Sequence, residues 1–349
     1  MDTSSTSPEM LALLPCPAFI VEKGVILQAN RAAEQRQLCV GTSISEYIAL
    51  GAEEYANFTS GELCLTLNVC GATHNATVTN YGENHMFYLE PDYQDPELRA
   101  FALAAQQLRE PLAKAMTCAS CLPSDKKLEN HLSQLNKNLY QLHRALCNMS
   151  DAAQYEKVRP TRMEYREVGS IFSEVMEKAA QLIAKGSHKL TYCGPTKAVS
   201  TMVDAEKLER ALLNMISNAA KFTPKGGEIH ASLRVSGKKL YFCVENATSA
   251  PKQAKNMFAH YLREPGIEGP ENGIGLGMSI IRKAAAAHSG TLLMEQLENE
   301  CLRFTMTINL EVPKSTRLRN KVQLAVDYAG GYDHTLTELS DILPPELYK

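Results

Sequence analysis

LERALLNMISNAAKFTPKGG, residues 208 to 227, and ENGIGLGMSII, residues 271 to 281, decide how this chain is read. In the first, Leu212, Leu213 and Ile216 with Ala219 and Ala220 mark the buried side of a helix. Asn214 and Asn218 stand four residues apart and therefore share one helix face. Two carboxamides so placed offer oxygens to Mg²⁺, which prefers hard ligands, and N–H donors to phosphate oxygens. Lys221, one turn further, reaches a phosphate as a point charge. In the second stretch, Gly273, Gly275 and Gly277 let a backbone loop approach phosphates closely before a helix begins near Ser279. A lone GxGxG is common in turns, so its weight comes from its surroundings.

Outward from these stretches, residues 157 to about 312 alternate helical and strand patterns. EVGSIFSEVMEKAAQLI (167–183) and DAEKLERALLNMISNAAKF (204–222) are helices, while EIHASLRVSGKKLYFCVEN (228–246) is a hairpin around Ser236-Gly237. GTLLMEQLENECLRFTMTINL (290–310) is a second hairpin, and the set predicts helices on one face of a largely antiparallel sheet. Upstream, Leu98, Phe101, Leu103, Ala105, Leu108, Leu112 and Met116 recur at helical steps. Leu128, Leu132, Leu135, Leu139, Leu142 and Leu146 form a second amphipathic run, close to a heptad seam. Two such helices joined by a short Pro123-containing turn make an antiparallel hairpin. A hairpin alone cannot cover both apolar stripes, so pairing into a four-helix bundle, hence a homodimer, is expected.

The N-terminal part reads AFIVEKGVILQAN (18–30), a hairpin around Lys23-Gly24, then a short helix and three more alternating strands to HMFYLEP (85–91). This order resembles a PAS-like sensor domain; another small α+β domain with a meander is the alternative. At the other end, Thr335 and Glu338 form a capping-box pattern before a short helix stopped at Pro344. Leu336, Leu339, Ile342 and Leu343 dock that helix on the body or offer it to a partner. The fold class is thus multidomain α+β. A PAS-like domain spans 1–93, a helical hairpin 94–156, an α/β sandwich 157–313, and a linker with a docking helix 314–349.

The ordered segments between 97 and 310 resemble the sensor histidine kinases, whose ATP-binding domain is of the GHKL type. LERALLNMISNAAKF corresponds to the family's N box, MFAHYLREP (257–265) to its F box, and GIGLGMSI to its second glycine box. The resemblance implies ATP and Mg²⁺ as ligands. Asn218 then stands where the family has its Mg²⁺ ligand, and Asn214, Lys221, Gly273, Gly275, Leu276 and Gly277 line the nucleotide. In the first glycine box the family has an aspartate that accepts the adenine amino group, followed by glycines. Here the segment is VENATSAP (244–251), with Asn246 at the aspartate position, or Glu245 under a one-residue shift. A carboxamide oxygen still accepts one hydrogen bond, without charge assistance.

The phosphoacceptor box shows a larger departure. In QQLREPL, Leu108, Arg109, Pro111 and Leu112 fit the pattern, but Gln106 stands where the family has its histidine and Gln107 where it has an acid. Glu110 replaces the residue that positions water for dephosphorylation. An amide nitrogen is not a nucleophile, so Gln106 cannot accept a phosphoryl group. His131 and His143, on the second hairpin helix, are the substitutes to consider.

The whole chain sets outer bounds. A length of 349 residues suits two or three domains, and 44% hydrophobic with 21% charged residues is a globular composition. A net charge of −3 gives no drive toward nucleic acid. No apolar run of about 18 residues predicts a membrane span, and MDTSSTSPEM does not read as a signal peptide, so a cytoplasmic location is expected. Cys118 and Cys121 form a CxxC, but no second pair follows at zinc spacing. The expectation is a nucleotide-binding pseudokinase that pairs with a response regulator or another histidine kinase. A kinase with a non-standard acceptor, or a nucleotide-free scaffold, is the alternative.

Overall fold

In the N-terminal part, alternating apolar residues build a hairpin of β1 (Ala18–Glu22) and β2 (Val25–Ala29). Its two-residue turn puts Lys23 and Gly24 at φ 48° and 82°, the left-handed pair that matches the twist of a tight hairpin. The computed structural model describes residues 11–12, 14, 16–89, 96–122, 128–158, 162–195, 197–248, 276–297, 301–311 and 328–349, except the side chains of 96–103, 106, 150–158 and 276. After β2 come α1 (Arg31–Glu34), a 3-10 turn (Ile44–Glu46), β3 (Ile48–Leu50) and α2 (Ala52–Ala56). Strands β4 (Glu62–Val69), β5 (Ala72–Tyr81) and β6 (Asn84–Leu89) complete an antiparallel order β2-β1-β6-β5-β4, with β3 beside β4. Asn30 caps α1 by accepting from the Ala33 amide at 2.9 Å, and its Nδ2 donates to the Cys16 carbonyl at 2.8 Å. Phe19 and Phe87 stack at 5.0 Å in a core with Ile26, Leu63, Leu67 and Val78.

Two long helices follow, α3 (Pro96–Ser120) and α4 (Glu129–Val158), packed against each other. Leu112, Met116 and Leu146 are buried between them, with Leu139, Tyr140 and Met149 alongside. Leu108, Leu135 and Leu142 remain exposed.

The largest body begins with β7 (Glu164–Glu167) and α5 (Val168–Ile183), then β8 (Lys189–Cys193), β9 (Ser200–Val203) and α6 (Ala205–Phe222). It continues through β10 (Glu228–Ser236), β11 (Lys239–Ala247), α7 (Leu276–Ala287), β12 (Leu292–Leu297) and β13 (Cys301–Asn309). The strands run β12-β13-β11-β10-β8, all antiparallel except β8 beside β10. Phe172, Met176, Leu212, Ile216 and Ile281 from the three helices meet Phe242, Val244, Phe304 and Met306 of the sheet in the main core. Glu167 caps α5 by accepting from Gly169 and Ser170, and Asp204 caps α6 by accepting from Lys207. Strands β7 and β9 form a separate two-stranded ribbon.

One joint has no counterpart in the sequence reading. β4 pairs with β12 through Cys64–Leu292, Leu63–Leu293 and Glu62–Met294, so the N-terminal sheet and the second sheet are continuous. Gly61, at φ 93°, lies against the Met294 carbonyl, where a Cβ would collide. Lys239 holds the same joint with Glu53 at 3.0 Å and Glu54 at 2.5 Å.

The C-terminal segment docks on this body through α8 (His334–Glu338) and a 3-10 turn (Pro345–Leu347). Leu339, Leu343 and Tyr348 are buried in the main core. The cap is Asp333, which accepts from the Leu336 amide at 2.9 Å, and not the Thr335/Glu338 capping box. Thr335 is buried inside the helix and Glu338 is drawn inward to two arginines, so neither is available as a cap. No described helix is long and apolar enough to cross a membrane.

Candidate functional site

Helix α6 presents the two asparagines as its four-residue spacing requires, and α7 arrives against them. A Cβ on Gly277 would stand 2.9 Å from Asn214 Oδ1 and 3.9 Å from Asn218 Oδ1. The absent side chain therefore lets the first turn of α7 touch the asparagine face. Gly277 is thus brought to the two asparagines. Gly273 and Gly275 lie outside the described residues, as does the side chain of Leu276 and the whole MFAHYLREP segment.

Asn246 sits at the end of β11, on the same strand face as Phe242 and Val244, which point into the helix layer. It is 2% exposed. Its Nδ2 donates to the Ala247 carbonyl at 3.0 Å, while Oδ1 is buried with no hydrogen-bond partner among the described residues. A buried acceptor without a donor is costly, by about 1–3 kcal/mol, and such a group fits a ligand donor. Glu245 points to the opposite face, where Arg303 of β13 donates to it at 2.7 Å. Strand register therefore leaves Asn246 on the helix side and Glu245 in a cross-strand ion pair.

Asn214, Arg210 and Lys221 of α6 are already engaged. Asn214 is fully buried; its Oδ1 accepts from Arg144 of α4 at 3.3 Å, and its Nδ2 donates to the Arg210 carbonyl at 2.9 Å and to Glu338 at 3.0 Å. Glu338 in turn accepts from Arg144 Nε at 3.1 Å and Arg210 Nε at 3.0 Å. Asp341 receives Arg144 Nη1 at 2.8 Å and Lys221 Nζ at 2.5 Å. Burial raises the pKa of Asp341, but the charges of Arg144 and Lys221 outweigh it and hold the carboxyl below its ordinary range. Arg210 also donates to Asn148 at 2.7 Å and lies 4.4 Å over the Tyr328 ring. Asn218 is half-buried on the same helix.

Sequence reasoning missed Arg144, Arg210, Glu338 and Asp341. Arg210 had a local signal, standing four residues before Asn214 on the same face. Arg144 lies on α4, while Glu338 and Asp341 belong to the C-terminal segment, so these three reach α6 only through tertiary packing.

The hairpin residues are less gathered. Gln107 and Glu110 are exposed, and Glu110 pairs with Lys114 at 2.7 Å; the Gln106 side chain lies outside the described residues. His131 is exposed. His143 is buried under the tail, with Nε2 at 3.0 Å from the Ala329 carbonyl and its ring 5.1 Å from Tyr332. Among the described residues no group of three or more His, Cys, Asp or Glu is arranged for a metal.

Residues 203–312 match the family described as histidine kinase-, DNA gyrase B-, and HSP90-like ATPase. The chain is 25% identical over 228 residues to the adaptive-response sensory kinase SasA of Crocosphaera subtropica, covering 60% of this chain and 59% of that one. It is 32% identical over 130 residues to the sensor histidine kinase TmoS of Ectopseudomonas mendocina, covering 36% of this chain and 13% of that one. It therefore spans less than two thirds of the length of these relatives. Among solved structures, full-length ShkA in complex with AMPPNP is similar with a TM-score of 0.48 and 16% identity, over 62% of this chain and 46% of that chain.

Proposed function

We propose that this chain, which belongs with the sensor histidine kinases through its ATPase domain at residues 203–312, binds ATP with Mg²⁺ and signals without phosphorylating itself. The observation that carries the nucleotide reading is the buried, unpartnered Oδ1 of Asn246 on the helix face of β11. It is an acceptor matched to the adenine amino group. Asn218 would supply the magnesium ligand. Asn214 and Lys221 would meet phosphate oxygens, and Gly277 admits the backbone of α7 to the same place. Bound ATP would supply a γ-phosphoryl group, for which Gln106 offers no nucleophile and Gln107 no base.

Signalling then rests on conformation. The N-terminal domain, in the strand order β2-β1-β6-β5-β4, acts as the PAS-like sensor. Helices α3 and α4 serve as the dimerisation hairpin, whose exposed Leu108, Leu135 and Leu142 are covered in a four-helix bundle by a second copy. Nucleotide and sensor state bias two packings of these bodies, and the partner that reads them is a response regulator or an intact histidine kinase.

The test is calorimetry with Mg-ATP on the 349-residue protein and on Asn218→Ala. Binding that weakens by about 10-fold or more in the variant, with the mass of the protein in solution unchanged, agrees with loss of one oxygen ligand. Equal affinity in both would remove Asn218 from the site.

A further inference from the structure

The groups expected to meet phosphate are held by carboxylates of the chain's own C-terminus. Glu338 is fully buried against Arg144, Arg210 and Asn214, and Asp341, one turn later, faces Arg144 and Lys221. We propose that the segment Asp333–Tyr348 is an internal occupant of the phosphate site, and that nucleotide phosphates and this segment exclude one another. This rests on the nucleotide reading of the same site and names its regulation.

The geometry argues for competition on three grounds. Asn214 Nδ2 and Lys221 Nζ point at Glu338 and Asp341 at 3.0 and 2.5 Å, so a phosphate oxygen cannot take either donor while the carboxylate is present. Two carboxylates three residues apart, set against two guanidinium groups, an ammonium and a carboxamide, reproduce the charge pattern of a bound polyphosphate. Their seat also includes Arg144, which belongs to α4 and not to the ATPase domain. The tail therefore clamps the hairpin to the nucleotide site: Asn136 donates to the Tyr348 carbonyl at 3.1 Å, and Lys349 pairs with Glu129 at 2.9 Å. Fully buried ion pairs contribute little net stability relative to apolar packing, whereas an exchangeable anion needs this arrangement. Leu339, Leu343 and Tyr348 supply the apolar anchor.

Displacement by nucleotide would free both α4 and the tail in one step. Arg144 could then turn from carboxylate to phosphate and report occupancy to the hairpin.

The test uses the 349-residue chain and two probes, Mg-ATP and inorganic tripolyphosphate, read by calorimetry and by hydrogen exchange of residues 334–348. Asp341→Asn should bind either probe at least about 5-fold more tightly than the wild type, and saturating probe should accelerate tail exchange in the wild type. Because Glu338 lies between two buried guanidinium groups, Glu338→Gln can impair folding; Asp341, with a side chain 29% exposed, keeps the test readable. ATP binding that leaves tail exchange and the Asp341→Asn affinity unchanged would overturn the proposal while sparing the nucleotide reading. Tripolyphosphate that releases the tail where ATP does not bind would sustain the proposal and refute the adenine site. Neither probe altering the tail would overturn the proposal outright.

Discussion

At the scale of single residues, Asn246 has the most decisive environment. Its buried Oδ1 is neutral where the family has a carboxylate, so Asn246→Asp should restore a charge-assisted bond to adenine. Charge assistance roughly doubles such a bond, about 1 kcal/mol here, or about a 5-fold gain in ATP affinity. Calorimetry of the variant checks this; an unchanged or weaker affinity would mean that the carboxamide does not face adenine. Gly290 makes a different kind of claim. A Cβ there would run into the Thr307 carbonyl of the facing strand, so Gly290→Ala should lose about 3 kcal/mol of stability in urea titration. The asparagine pair and Gly277 were legible in the sequence because helical spacing and a glycine entry are local signals. Glu338 was misread as a cap, since a local motif cannot reveal two arginines that arrive from 128 and 194 positions away.

At the scale of elements, the caps explain why α5 and α6 start where the sequence said, each with an acidic residue accepting from its first turn. Strands β7, β8 and β9 were not legible. They are short, and β8 is fixed by parallel pairing to β10, which leaves no local pattern. The junction of α6 and α7 carries a pH dependence. His288 accepts from the Asp204 amide through Nε2 at 3.0 Å and faces the Ala284 carbonyl through Nδ1 at 2.6 Å, so the neutral Nδ1–H tautomer fits. Burial, the largest cause, lowers its pKa, against opposing influences from the Ala284 bond, Asp204 and Glu311 and alongside Lys207. A histidine whose folded pKa lies below its unfolded value contributes stability that is complete above the ordinary range, near about 6.5, and is lost as pH falls through the folded value. The melting temperature should therefore drop on acidification below about pH 6.5. His288→Gln, which cannot ionise, should show a shallower acid slope; an identical slope would locate the titration elsewhere.

At the scale of the whole molecule, two long-range contacts organise the chain. The β4–β12 joint continues the N-terminal sheet into the second sheet, and the tail ties α4 to α6. The union of the two sheets was not legible in the sequence, because edge pairing of backbones carries no residue code. Gly61→Ala, which sets a Cβ against the Met294 carbonyl, should open that joint while each body stays folded. Faster hydrogen exchange confined to β4 and β12 checks it, and unchanged protection there would contradict a close joint.

We propose a chain that keeps a nucleotide site and lacks the phosphoryl acceptor. The deciding measurement is incubation of the 349-residue protein with Mg²⁺ and γ-labelled ATP, with bound nucleotide and protein-bound label counted on one sample. Bound ATP, increased in Asp341→Asn, with no acid-labile label on the protein is the expected result. Acid-labile label that accumulates with time would contradict it and show a working kinase with another acceptor.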